Sequence, residues 1–147
     1  MARSLGRSLA AALGLALLTG GPATAQGKVF RSVDAAAGKT TRLSVHGNVT
    51  KDCKLGPSPE IRITTPPKHG ALAVRQGKNK AGLLKRCPSL EVPVEGVFYQ
   101  ANAGYTGSDE AAYTVVRAGQ PTLSITVKLN VGARAKPGSD AKDDAGL

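Results

Sequence analysis

The stretch Glu95–Val116, EGVFYQANAGYTGSDEAAYTVV, decides the fold. It holds four of the chain's five aromatic residues, Phe98, Tyr99, Tyr105 and Tyr113, in two runs of strand-forming residues joined by Gly, Asn and Ser. Aromatic and β-branched side chains suit a pleated, half-buried backbone, whereas Gly and Asn suit a turn. The stretch reads as one strand from Val97 to Gln100, another from Ala111 to Arg117, and the corner between them.

Downstream, Leu123, Ile125, Val127, Leu129 and Val131 alternate with Ser124, Thr126, Lys128 and Asn130, the period of a half-buried strand. Upstream, Thr41–His46 alternates with Leu43 and Val45 on one face and Arg42, Ser44 and His46 on the solvent face. Glu60–Thr65 turns Ile61 and Ile63 inward, and Thr65-Pro66-Pro67-Lys68-His69-Gly70 ends it, since proline lacks the N–H a ladder needs. Ala71–Gln76 returns with Leu72 and Val74 inward, and Lys28–Val33 suits a first edge strand. Gly47–Pro59 reads as a long loop carrying Cys53. Gly77–Pro88 reads as an exposed basic loop pinned by Cys87.

The ends differ from this middle. Arg3 and Arg7, the apolar run Leu9–Leu18 and Ala23-Thr24-Ala25 have the order of a signal peptide over residues 1–25, cleaved before Gln26. The run is too short to span a membrane, for which roughly 20 apolar residues are needed. Residues 132–147 combine Gly, Pro, Ala and mixed charge without periodicity and read as a disordered tail, which leaves one domain over 26–131. The expected location is therefore secreted or periplasmic, with no transmembrane anchor. In an oxidising compartment Cys53 and Cys87 would form a structural disulfide. Of the formal charge of +10, Arg3 and Arg7 carry two, so +8 remains, and the tail's three bases and three acids cancel. The domain itself is thus basic, and a basic exported domain favours anionic polymers or surfaces as partners.

About seven short strands with turn signals between them, and no amphipathic helix, predict an all-β antiparallel sandwich of Ig-like type. Asp109-Glu110-Ala111-Ala112-Tyr113-Thr114-Val115 has the form D-x-A-x-Y-x-Φ, with Φ apolar. That is the shape of a tyrosine corner, in which a Tyr at the start of the sixth strand bonds back to upstream backbone, so Asp109 and Tyr113 are the expected structural corner. The motifs Thr65-Pro66-Pro67-Lys68-His69-Gly70, Tyr99, Asn102-Ala103-Gly104-Tyr105-Thr106-Gly107-Ser108-Asp109 and Tyr113-Thr114-Val115 together resemble the bacterial cadherin-like or Ig-like repeat of surface proteins. The resemblance covers roughly residues 60–131 in a single copy. It implies a β-sandwich that serves as a binding or structural module. Ala101 and Ala111 depart from the family pattern, the basic loop is inserted, and the acidic segments that bind calcium in many such repeats are missing.

Catalytic chemistry finds little footing. His46 and His69 are the only histidines, no nucleophile motif accompanies them, and two histidines on separate elements make a poor metal site. Glu91 with Glu95, and Asp109 with Glu110, are the close carboxylate pairs. The first is expected to balance the basic loop and the second to accept backbone hydrogen bonds at the corner. Asn48-Val49-Thr50 fits the glycosylation pattern, a three-residue match common by chance. The absence of Trp argues against a stacking platform for single-stranded nucleic acid or sugar rings. The sequence therefore points to an exported non-enzymatic module without cofactor or metal. Its candidate contact residues are Arg75, Lys78, Lys80, Lys85 and Arg86, with an inhibitor or accessory subunit docking the constrained loop as the alternative.

Overall fold

The computed structural model describes residues 26–132. The leader and tail readings lie outside them. Seven strands form two sheets: β1 (Gly27–Ala36), β2 (Thr40–Gly47), β3 (Glu60–Thr65), β4 (Gly70–Asn79), β5 (Val92–Ala101), β6 (Gly107–Val116) and β7 (Leu123–Gly132). One sheet has the order β1-β7-β6-β3 and the other β2-β5-β4. This is the strand assortment of an Ig-like sandwich with the first strand moved beside the last. That placement corrects one expectation: β1 runs parallel to β7, while every other pair is antiparallel. A short turn after β1, with Gly38 at φ 68°, carries the chain into β2 of the opposite sheet.

The core lies between the sheets. From β7 come Ile125, Val127, Leu129 and Val131, from β6 Ala111, Tyr113 and Val115, and from β5 Val97 and Tyr99, all buried. Period-two alternation in β6 and β7 puts these side chains on one face, and each large aliphatic one contributes about 1.5–3 kcal/mol by leaving water. The edge strands β3 and β4 have a neighbour on one side only, so Ile63 and Val74, although aimed inward, stay 44% and 40% exposed. Strand β5 begins five residues before the sequence suggested, at Val92, and β4 extends to Asn79 to pair with it. Pro93 is tolerated there because β2 has already ended opposite Val94, so its missing N–H falls on the side without a neighbour.

One irregularity changes the interior. In β2 the register against β5 shifts between Arg42 and Ser44, so Leu43 is an extra residue. A bulge of this kind reverses the alternation beyond it. Leu43 still points inward, but Ser44 and His46 now do so as well, with 5% and 1% exposure. The expectation that His46 faces solvent is thereby corrected.

The corner also differs in its bonding. Asp109 accepts backbone N–H groups from Lys68, His69 and Glu110 at 2.9 Å and the Tyr99 hydroxyl at 3.0 Å. It ties the Pro66-Pro67 turn to the start of β6. Burial alone would raise the Asp109 pKa, but these four donors outweigh it and hold it below the usual value. Tyr113 lies well inside β6, and its hydroxyl meets the Ser44 side chain of the opposite sheet at 2.6 Å. It does not bond back to upstream backbone, because the seat of the expected corner is already filled by Tyr99 and Asp109.

A second, smaller core covers the outer face of the three-stranded sheet. Val49, Leu84, Cys87, Val92 and Val94 are buried together under the β2–β3 and β4–β5 loops. The Cys53–Cys87 disulfide, closing 34 residues, joins these loops. Cys53 adopts φ 57°, a left-handed conformation costly for a residue with a Cβ, and its N–H bonds Thr50 O at 3.2 Å. Replacing both cysteines by Ser should cost about 3–4 kcal/mol in urea unfolding. The amide protons of 84–92 should exchange fastest among the buried residues. Asp109→Ala should cost about 3 kcal/mol, since it leaves three backbone donors without their acceptor.

Candidate functional site

The loops β2–β3, β4–β5 and β6–β7 meet at one end of the sandwich. There the inward turn of β2 produces a buried polar chain. His46 Nε2 lies 2.8 Å from Ser44 Oγ, which lies 2.6 Å from the Tyr113 hydroxyl. An Arg117 Nη2 donates to His46 Nδ1 at 3.3 Å, while Arg117 Nε donates to the Gly47 carbonyl at 3.1 Å. Arginine is a donor only, so Nδ1 must accept and the imidazole carries its proton on Nε2, which donates to Ser44.

Desolvation foremost, then the charges of Arg117 and Arg31, lower the His46 pKa to about 4. Arg31 shares the inner face of β1 with Val29 and Val33, and Glu95 stands opposite His46 in the ladder. This Ser–His pair is a core feature sealed between the sheets, with a cation rather than a carboxylate on the second ring nitrogen. It lacks the orienting acid of a hydrolytic triad. Because the folded pKa lies below the unfolded 6.5, the unfolded chain takes up the proton first as pH falls. The stabilisation is complete above pH 6.5 and is lost progressively down to about pH 4. Urea midpoints should register a loss of about 3 kcal/mol across that window. His46→Gln should remove most of that slope, leaving the Asp109 contribution at lower pH.

Arg117 also lines a cleft of about 320 Å³ with Gly47, Val49, Thr50, Lys51, Arg86 and Gln120. Arg86 enters from the disulfide loop and donates an Nη2 N–H to the Val49 carbonyl at 3.0 Å. Two guanidinium groups from different loops are therefore held by carbonyls two residues apart. Burial lowers the Arg117 pKa, as expected for a charge without a carboxylate neighbour. Among the described residues the one ion pair is Arg62–Glu60, at the other edge of the molecule's strand β3.

The five basic residues singled out in the sequence do not form one patch. Arg75 lies on the outer face of β4 over the Phe98 ring, 5.3 Å from its centroid. Phe98 itself covers Gly96, where an added Cβ would come within 2.7 Å of the ring. Lys78 lies on the strand rather than in a loop, facing the inner side beside Gln76 and Glu95. Lys80 and Lys85 are exposed in the turn, and only Arg86 reaches the cleft. Glu91 and Glu95 form no ion pair with these bases among the described residues. The sequence reading missed Arg117 and Lys51. The one local signal was a charged residue directly after the Val115-Val116 end of β6.

At the opposite end, His69, Ser108 and Asp109 line another cleft. Their contacts are structural: the His69 ring stacks on Tyr105 at 4.1 Å, and Asp109 accepts the His69 backbone N–H rather than its imidazole. Among the described residues there is no group of three or more His, Cys, Asp or Glu placed to hold a metal ion. The Asn48 side chain is buried and donates to Pro57 O at 3.0 Å, so the glycosylation motif is packed into its loop.

No protein-family model matches the chain, and no curated protein matches it. Among solved structures, the solution structure of amebosin is similar over 71% of this chain and 98% of that one, with 10% identity and a TM-score of 0.42. A likeness at that level carries no argument about function.

Proposed function

We propose that the chain is an exported, non-enzymatic binding or structural module of the cell envelope or exterior, an Ig-like domain of the bacterial cadherin-like kind in single copy. On this reading it contacts anionic polymers or surfaces through the cationic loop end of the sandwich. The observation that carries the reading is the presentation of Arg86 and Arg117 by backbone carbonyls, with no carboxylate lining their cleft. The leader-like N-terminus and the disulfide support an oxidising location.

A second reading, an inhibitor or accessory subunit that inserts the disulfide-bonded loop into a partner protein, draws support from Leu83, which is 65% exposed in that loop. The two separate on charge. At physiological salt the protein should be retained on heparin, and exchanging Arg75, Lys78, Lys80, Lys85 and Arg86 for Ser should bring elution close to the void volume. Unchanged retention of that variant would move the polyanion contact to Lys51 and Arg117, whereas a wild-type protein that flows through would turn the choice to loop insertion by shape. In that case Leu83→Ser should abolish capture of the partner.

A further inference from the structure

Resting on the anion-binding reading above, we infer that the cleft between the β2–β3, β4–β5 and β6–β7 loops is a discrete site for one phosphoryl group, gripped by Arg86, Arg117 and Lys51. Three observations converge on this. First, the lining contains three cationic side chains and no carboxylate, so the cleft arrives with its charge uncompensated. Second, the two guanidinium groups are fixed before any ligand binds, Arg117 on the Gly47 carbonyl and His46, Arg86 on the Val49 carbonyl. Arg117 thus uses two of its five N–H donors internally and retains the others for a group in the cleft. Third, Thr50 accepts the Lys54 N–H at 3.1 Å, which leaves its own hydroxyl proton to give to the same ligand, alongside the Gln120 amide.

The charge favours phosphate over a single carboxylate. A phosphate monoester carries about −1.5 to −2 at neutral pH and offers three acceptor oxygens, which matches three cations converging from three loops. Planar guanidinium groups engage such an oxyanion through paired N–H bonds, whereas a lysine supplies a point charge. An oxyanion in the cleft would meet no carboxylate in its lining. The same phosphomonoester chemistry occurs in a phosphorylated glycan and in the headgroup of phosphatidic acid.

The test is an amide chemical-shift titration of the described domain within the full chain near pH 7, with inorganic phosphate as probe. Saturable shifts confined to Gly47–Lys51, Arg86 and Arg117–Gln120 are expected. Lys51→Gln and Arg86→Gln should each weaken binding by about three- to ten-fold, as expected for loss of a charge-assisted contact. Arg75→Gln and Lys78→Gln remove the same charge outside the cleft and should change affinity by less than about two-fold, the size of a screened surface effect. Lys51 is exposed, and its side chain makes no hydrogen bond among the described residues, so its variant keeps the fold and the test stays decisive if Arg117 variants misfold. Glucose phosphate and phosphatidic acid vesicles then separate the sources: the arm that shifts Arg117–Gln120 more strongly names the glycan or the lipid. Shifts scattered over all lysines without saturation, or equal weakening by Arg75→Gln and Arg86→Gln, would overturn the site. If heparin retention persisted through that failure, the broader polyanion reading would survive it. Saturable phosphate binding in a protein that ignores heparin would leave the cleft in place and remove the polymer.

Discussion

The extra residue Leu43 in β2 governs the interior of this sandwich. Were β2 regular, Ser44 and His46 would face solvent. With the bulge, both enter the space between the sheets, where an imidazole needs partners for two nitrogens. It finds Ser44 on one side and Arg117 on the other. Burial of a polar chain is unfavourable unless each member is satisfied, and every buried side-chain nitrogen and oxygen among the described residues has a partner. Arg117 is therefore held at the end of β6 by an arrangement that starts in β2. Its position in the cleft follows from the core.

The two ends of the sandwich solve the same problem with opposite charge. At one end a carboxylate, Asp109, collects backbone N–H groups from the β3–β4 turn and the start of β6. At the other, guanidinium groups collect backbone carbonyls from the β2–β3 loop. The first arrangement leaves the carboxylate with all its lone-pair directions engaged, so it is a structural fastener. The second leaves N–H donors over, so it is the end with capacity to bind. The disulfide and the small outer core hold the loop that brings Arg86 there.

Much of the fold was legible because it depends on local alternation. The period-two run from Leu123 to Val131 specifies β7 regardless of its neighbours, and the Gly- and Asn-rich link before Asp109 specifies a corner. The disulfide followed from there being only two cysteines in a chain with a leader-like start. The candidate site was legible only in part. Arg86 was visible as one base among several, but proximity in sequence to Arg75 and Lys78 misled, since successive residues of one strand point to opposite faces and Arg86 lies beyond the strand.

By itself the sequence determined seven strands, a sandwich, the role of Asp109 as an acceptor of backbone hydrogen bonds, and a domain of strong positive charge. Tertiary structure alone decided that β1 pairs in parallel with β7, that His46 is buried, that Tyr99 rather than Tyr113 completes the corner, and that Lys51, Arg86 and Arg117 share a cleft. The physical reason is common to all four. Alternation and turn chemistry act over a few residues, whereas strand pairing, a register shift or the meeting of three loops depends on contacts between segments 30 to 96 residues apart (Tyr99 to His69 at the lower end, Gly27 to Leu123 at the upper).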